Sequence, residues 1–175
     1  DFLLISHDHF DHNNEKAVTS KETFKWNALP KGKDIPGGSI KSVFSYHDTS
    51  RGKERGENTI WVIKLEGLTI VHLGDLGHLL EESHLKEIGK VDILLIPVGG
   101  VYTIDADGAT KVVDLVKPKV VIPMHYKTAK LKFNLAKVDD FIRGKPRVKR
   151  LDSNSTIFKK ELLPPETEID ILAVP

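Results

Sequence analysis

The sequence predicts a mixed α/β fold in which two β-sheets are sandwiched between helices. Three observations carry this. Apolar runs of strand length recur along the chain, some alternating and some continuous. Helical three-four spacing falls between the later runs. The runs also end repeatedly on histidine or aspartate, so polar chemistry collects at strand ends.

Taken in order, Phe2-Leu3-Leu4-Ile5 is an apolar run that reads as a buried strand. Asn13 to Val18 reads as a short helical turn leading away from it. Residues 19 to 38 are polar and broken by Pro30, Gly32, Pro36, Gly37 and Gly38, the mark of a loop with short strand pieces. Trp26, within it, is a core or lid residue. Ile40 to Tyr46 alternates and is a strand, followed by a charged, glycine-bearing loop from His47 to Asn58. Thr59 to Leu65 and Leu68 to Leu73 form a hairpin turning at Glu66-Gly67.

A helix is expected from Leu79 to Ile88, with His84 facing solvent. Val91 to Val98, interrupted only by Asp92, has the composition of a strand buried on both faces. Ala109, Val112, Val113 and Val116 mark an amphipathic helix over Ala106 to Val116, capped by Asp105 or Asp107 and stopped by Pro118. Val120 to Met124 is another buried strand. A short helix over Ala136 to Ile142 stops at Gly144. Arg147 to Leu151 and Thr156 to Lys160 read as a final strand pair, with a proline-punctuated tail after them.

Composition narrows the function. The 175 residues suit one domain, and 39% hydrophobic with 29% charged is ordinary for a globular protein. A formal net charge of +1 supplies no field for gripping nucleic acid or an anionic membrane, so neither is expected as a partner. The chain has no cysteine, which excludes disulfides, thiolate nucleophiles and Cys-ligated zinc together. His, Asp and Glu are left as metal ligands. No run approaches the ~18 apolar residues of a membrane span. A cytoplasmic setting is expected, and a homo-oligomer is left open.

The stretch Ser6-His7-Asp8-His9-Phe10-Asp11-His12 puts three histidines and two aspartates within six positions at a strand end. Imidazole and carboxylate are the ligands that zinc and similar divalent metals prefer. His7 and His9, two apart, project to the same side of extended backbone and can chelate one ion. A turn after His9 would aim Asp11 and His12 at a second. His47 is delivered into a loop by the strand before it. Arg51 and Arg55 in that loop are either solvated charges or a clamp for an anionic substrate. Asp75 sits between Gly74 and Gly77, which let the backbone turn tightly. It is either a bridging ligand or a helix cap. His72 reads as structural. His78 either touches substrate, supports the site or opens the next helix. His125 ends another buried strand, and Lys127 lies in the loop wall beyond it.

His-X-His-X-Asp-His after a hydrophobic strand resembles the signature of the metallo-β-lactamase-fold hydrolases. His47, Gly74-Asp75 and His125 in Ile122-Pro123-Met124-His125-Tyr126 fit the same pattern in order. Gly74-Asp75-Leu76-Gly77-His78 and Pro97-Val98-Gly99-Gly100 are most similar to a small prokaryotic branch related to the ascorbate-6-phosphate lactonase type. The resemblance covers roughly Leu3 to Thr128.

It implies a four-layer αββα sandwich formed by a single domain over residues 1–175. Because further strands precede this point in the family, an N-terminally incomplete chain is expected, and a signal peptide before Asp1 is left open. It also implies two metal sites: His7, His9 and His47 for one ion; Asp11, His12 and His125 for the other; Asp75 bridging. The ions are expected to be zinc, with manganese or iron as alternatives. The implied activity is hydrolysis of a small-molecule substrate by a bridging hydroxide, with Asp11, Asp75 and His78 as catalytic residues. A small anionic ester or lactone fits Arg51 and Lys127 as substrate residues. A phosphodiesterase or nuclease of the same fold, and a non-catalytic metal-binding protein, are the alternatives.

Overall fold

The computed structural model describes residues 2–17, 22–25 and 28–174. Trp26 lies outside the described residues. Eight strands form one large sheet: β3 (Lys33–Ile35), β4 (Gly38–Tyr46), β5 (Glu57–Leu65), β6 (Leu68–His72), β7 (Ile93–Pro97), β8 (Val120–Met124), β9 (Val148–Arg150) and β10 (Glu168–Ile171). Their order is β3-β4-β5-β6-β7-β8-β10-β9. Pairing is antiparallel from β3 to β6 and parallel from β6 onwards. A second, two-stranded parallel sheet joins β1 (Phe2–Leu4) to β2 (Glu22–Phe24).

Register explains the core. Val62, Val71, Leu94, Val121 and Ile169 stand opposite one another across five strands, so they share a face. All are nearly inaccessible. They pack in one cluster with residues of α1 (Glu82–Ile88), α2 (Ala106–Val116) and α3 (Val138–Ile142), among them Ile88, Val112 and Phe141. The adjacent row, Trp61, His72, Leu95 and Ile122, lies on the opposite face. There Leu4 and Ser6 join Trp61, Ile63 and His72 around a small cavity, so β1 lies over this face. Helices, large sheet and small sheet are therefore successive layers.

Several elements differ from the reading of the sequence. The first helix starts at Glu82, and His84 is half-buried: its Nδ1 accepts the Glu81 N–H, capping its own helix. Thr156 to Phe158 is irregular and runs into a 3-10 turn at Lys160–Leu162. The partner of β9 is instead β10, in the tail, inserted parallel between β8 and β9. Asp92, the charge inside an apolar run, ties the start of β7 to β6: it accepts the Thr69 N–H and pairs with Lys160 at 2.6 Å. Among the described residues no helix is long and apolar enough to cross a membrane.

Candidate metal centre

Strand ends bring the candidate ligands together. His7 follows β1, His47 follows β4, Asp75 lies three residues beyond β6, and His125 follows β8. The chain turns after His9, where the His12 N–H donates to the His9 carbonyl at 2.9 Å. The rings of His7, His9 and His47 form a near-equilateral group, with centroids 4.8 to 4.9 Å apart. The Asp75 Oδ2 lies 3.2 Å from Nε2 of His47, 3.5 Å from that of His125, 3.6 Å from that of His12 and 3.8 Å from that of His7. Asp11 stands at the rim, 3.7 Å from the His12 Nε2. All seven residues expected as ligands thus meet in one place. Two triads have ligand atoms close enough to share an ion: His7, His9 and His47, and His7, His12 and Asp75.

The donor set fits a metal. The His7 Nδ1 is engaged with the Ser6 hydroxyl at 2.9 Å, which leaves Nε2 facing the cluster. That Nε2 is buried without a hydrogen-bond partner. Burial, only partly opposed by Asp75, lowers the His7 pKa to about 4. It is therefore a neutral lone-pair donor at pH 7, the form a cation requires. Burial also works against the charge on His47, but its hydrogen bond and attraction to Asp75 raise its pKa overall. For Asp75, burial favours the neutral acid, yet the His47 hydrogen bond and the neighbouring imidazoles lower its pKa to about 2. A buried carboxylate held ionised among four imidazoles is a cation site by its chemistry.

Three features hold this geometry. Asn58, fully buried, accepts the Asp75 N–H on Oδ1 and donates through Nδ2 to Ser45 Oγ and the Leu73 carbonyl. Nothing in a single sequence marks it. Gly74 has φ of 57°, and a Cβ there would lie 2.3 Å from the Asn58 Oδ1. The third feature is Asp48. Its carboxylate accepts four backbone N–H groups, from Ser50, Gly52, Glu54 and Arg55, at 2.7 to 3.0 Å. It thereby folds the loop after His47. Burial pushes its pKa up, but those four bonds outweigh it and the net shift is down.

A group whose folded pKa is depressed stabilises the fold above its unfolded value, ~3.9 for Asp. That contribution is lost as pH falls through the folded value. Asp48→Asn should cost ~2 kcal/mol at pH 7, since Nδ2 would face N–H donors. The gap from wild type should narrow as pH falls below ~4. Urea unfolding at a series of pH values reads this, and a pH-independent gap would contradict it.

The remaining expected residues fall elsewhere. His78 is not at the cluster: its Nε2 accepts the Tyr46 N–H at 3.1 Å and its Nδ1 lies 2.8 Å from the Leu79 carbonyl, so both ring nitrogens are engaged. With Arg51 it lines a separate groove beside Tyr46 and α1. Lys127 is committed as well, its Nζ donating to the carbonyls of Leu131 and, at 2.7 Å, Phe133. The cluster opens instead into a cavity of about 360 Å³ walled by Phe10, Arg55, Tyr102 and Phe133. Of these only Arg55 was anticipated, as one of two arginines in its loop. Phe10 carried a signal in being an aromatic residue inside a polar motif.

Strand-end ligands on an α/β sandwich are the arrangement of the metallo-β-lactamase superfamily. The model for the β-lactamase superfamily domain matches residues 1–125. The chain is 34% identical to UPF0173 metal-dependent hydrolase Ta0764 of Thermoplasma acidophilum, over 79% of this chain and 69% of that protein. It is 30% identical to a UPF0173 metal-dependent hydrolase of Archaeoglobus fulgidus, over 91% and 79%. A crystal structure from Thermotoga maritima, proposed to be a zinc-dependent hydrolase of the metallo-β-lactamase superfamily, superposes with a TM-score of 0.79 at 37% identity. It is covered over 81% of its length by 98% of this chain. The chain belongs to the β-lactamase superfamily and, within it, to the UPF0173 metal-dependent hydrolase family.

Proposed function

We propose that this chain is a hydrolase that holds two divalent metal ions, zinc being the best match to its ligands, and acts on a small anionic ester or lactone. The observation that carries this is the convergence of four imidazole Nε2 atoms on one Asp75 oxygen at 3.2 to 3.8 Å, beneath an open cavity. Structural zinc is closed by four ligands, whereas this cluster supplies more than four and leaves one side open. His7, His9 and His47 would hold one ion and Asp11, His12 and His125 the other, with Asp75 between them. When bound, the ions supply an acidified water as nucleophile and positive charge for the oxyanion that develops.

The protein contributes the rest. Its two carboxylates carry less charge than two divalent cations bring, so the loaded site stays net positive towards an anionic substrate. Asn58 and Ser6 fix the orientations of Asp75 and His7. Asp48 holds the loop that carries Arg55. A nuclease reading is disfavoured, because among the described residues Arg55 is the one Lys or Arg lining the cavity.

Exhaustive chelation should abolish ester or lactone hydrolysis and lower the unfolding midpoint, and added Zn²⁺ or Mn²⁺ should restore both. Full turnover by protein shown to be metal-free would end this reading.

A further inference from the structure

We propose that the substrate carries a planar apolar group seated among Phe10, Tyr102 and Phe133, and an anionic substituent on that group paired with Arg55. This rests on the hydrolase reading above and narrows the substrate class. Phe10 is 85% exposed directly beside the ligand loop, a position hydration alone would not favour for an aromatic ring. Tyr102 and Phe133 meet edge to face with centroids 6.2 Å apart. The Arg55 guanidinium lies 5.8 Å from the centroid of the Tyr102 ring. Its ion partner among the described residues is the adjacent Glu54, at 3.6 Å and largely exposed, a weak and screened contact. A guanidinium held over an aromatic face by cation–π attraction still has N–H donors free for a carboxylate or phosphate.

The wall is built rather than incidental. Its rings come from three separate loops, two of them with fixed supports. Gly100 and Val101 have φ of 63° and 64°, and a β-branched residue adopts that conformation only where the surroundings impose it. This strained corner, closed by the Tyr102 N–H donating to the Gly100 carbonyl at 2.7 Å, carries Tyr102. Lys127 ties down the carbonyl of Phe133. Arg55 is placed by its own N–H on the Asp48 carboxylate, at 2.8 Å. At about 360 Å³ the cavity has the scale of a small molecule, and Arg55, the one Lys or Arg lining it among the described residues, matches one anionic substituent rather than a polyanion.

The test compares 4-acetoxybenzoate with its neutral methyl ester as substrates of the metal-loaded protein. Hydrolysis of either consumes one water, breaks the acyl C–O bond and yields acetate, the phenol and a proton. The methyl ester has the better leaving group, so intrinsic reactivity opposes the expected preference. Wild type should favour the anionic ester in kcat/KM by at least ~10-fold. Arg55→Gln should bring the ratio to one or below, Arg55→Lys should restore part of it, and Tyr102→Ala should raise KM for both esters. Benzenesulfonate, a weak metal ligand, should bind the loaded wild type and bind Arg55→Gln at least ~10-fold more weakly.

An equal ratio in wild type and Arg55→Gln, with turnover intact, would overturn the subsite and leave the hydrolase reading standing. Failure of metal-loaded protein to hydrolyse either ester would count against the hydrolase reading. Benzenesulfonate binding then decides the subsite: dependence on Arg55 upholds it, and absence of binding overturns it.

Discussion

An Asp75→Ala protein should retain neither its metal ions nor its turnover. Among the described residues Asp75 is the one carboxylate within 4 Å of four different imidazoles, and it lies in the buried floor of the cavity. Its removal leaves lone pairs facing one another, with only the half-exposed Asp11 at the rim to balance a cation. Metal ions acting as Lewis acid and water activator supply several kcal/mol of barrier reduction, so turnover should fall by at least ~1,000-fold. Asp75→Asn keeps the volume and removes the charge. It should lose metal to a similar degree, which separates electrostatics from packing. The raised His47 pKa should also relax downwards in either variant, because its main support is Asp75. Elemental analysis, steady-state kinetics and histidine NMR titration read the three effects. An Asp75→Ala protein with its full metal complement and normal turnover would remove Asp75 from the site.

Gly77→Ala should cost nearly as much without touching a ligand. A Cβ at position 77 would lie 2.2 Å from the His47 carbonyl carbon and 2.3 Å from the Asp48 nitrogen. Both are backbone atoms and cannot swing aside. The Gly77 N–H donates to the Tyr46 carbonyl at 3.0 Å, and the Tyr46 N–H donates to His78 in return. One backbone bond and one imidazole thus hold residues 77 and 78 against the end of β4. An alanine forces the two segments apart and moves His47 away from Asp75. The expected cost is ~3 kcal/mol, the upper end of overpacking, with ~10–100-fold weaker metal binding. Gly89→Ala is the control: unlike Gly77 it has positive φ, 71°, but a Cβ there would meet nothing within 4 Å. It should show only the local backbone penalty and unchanged metal affinity. Equal behaviour of the two variants in urea unfolding and metal titration would contradict this packing argument.

What was legible in the sequence follows a physical divide. Elements whose own period determines them were readable: α2 spans Ala106–Val116, with Asp105 accepting the Gly108 N–H as its cap, and β6 to β8 fall within their apolar runs, while β5 begins two residues before its run, at Glu57 in the expected loop. Elements determined by distant partners were not. The alternation of Glu168 to Ile171 has no local meaning until β8 and β9 flank it, and the apolar positions near Ile157 find no ladder. The same holds at the site. Ligand histidines announce themselves by chemistry and by position at strand ends. Long cations do not, because their destination depends on the nearest free carbonyls: Lys127 staples its own loop, Arg51 and His78 face another groove, and Arg55 reaches the cavity.

Two cations sharing Asp75 are the centre of the proposed chemistry. Diffraction from metal-loaded crystals, collected at the zinc, iron and manganese absorption edges, tests it most directly. Two anomalous peaks ~3.5–4 Å apart are predicted. One should be ringed by His7, His9 and His47, the other by Asp11, His12 and His125, with Asp75 reaching both. A single peak at full occupancy, or metal bound away from Asp75, would contradict it.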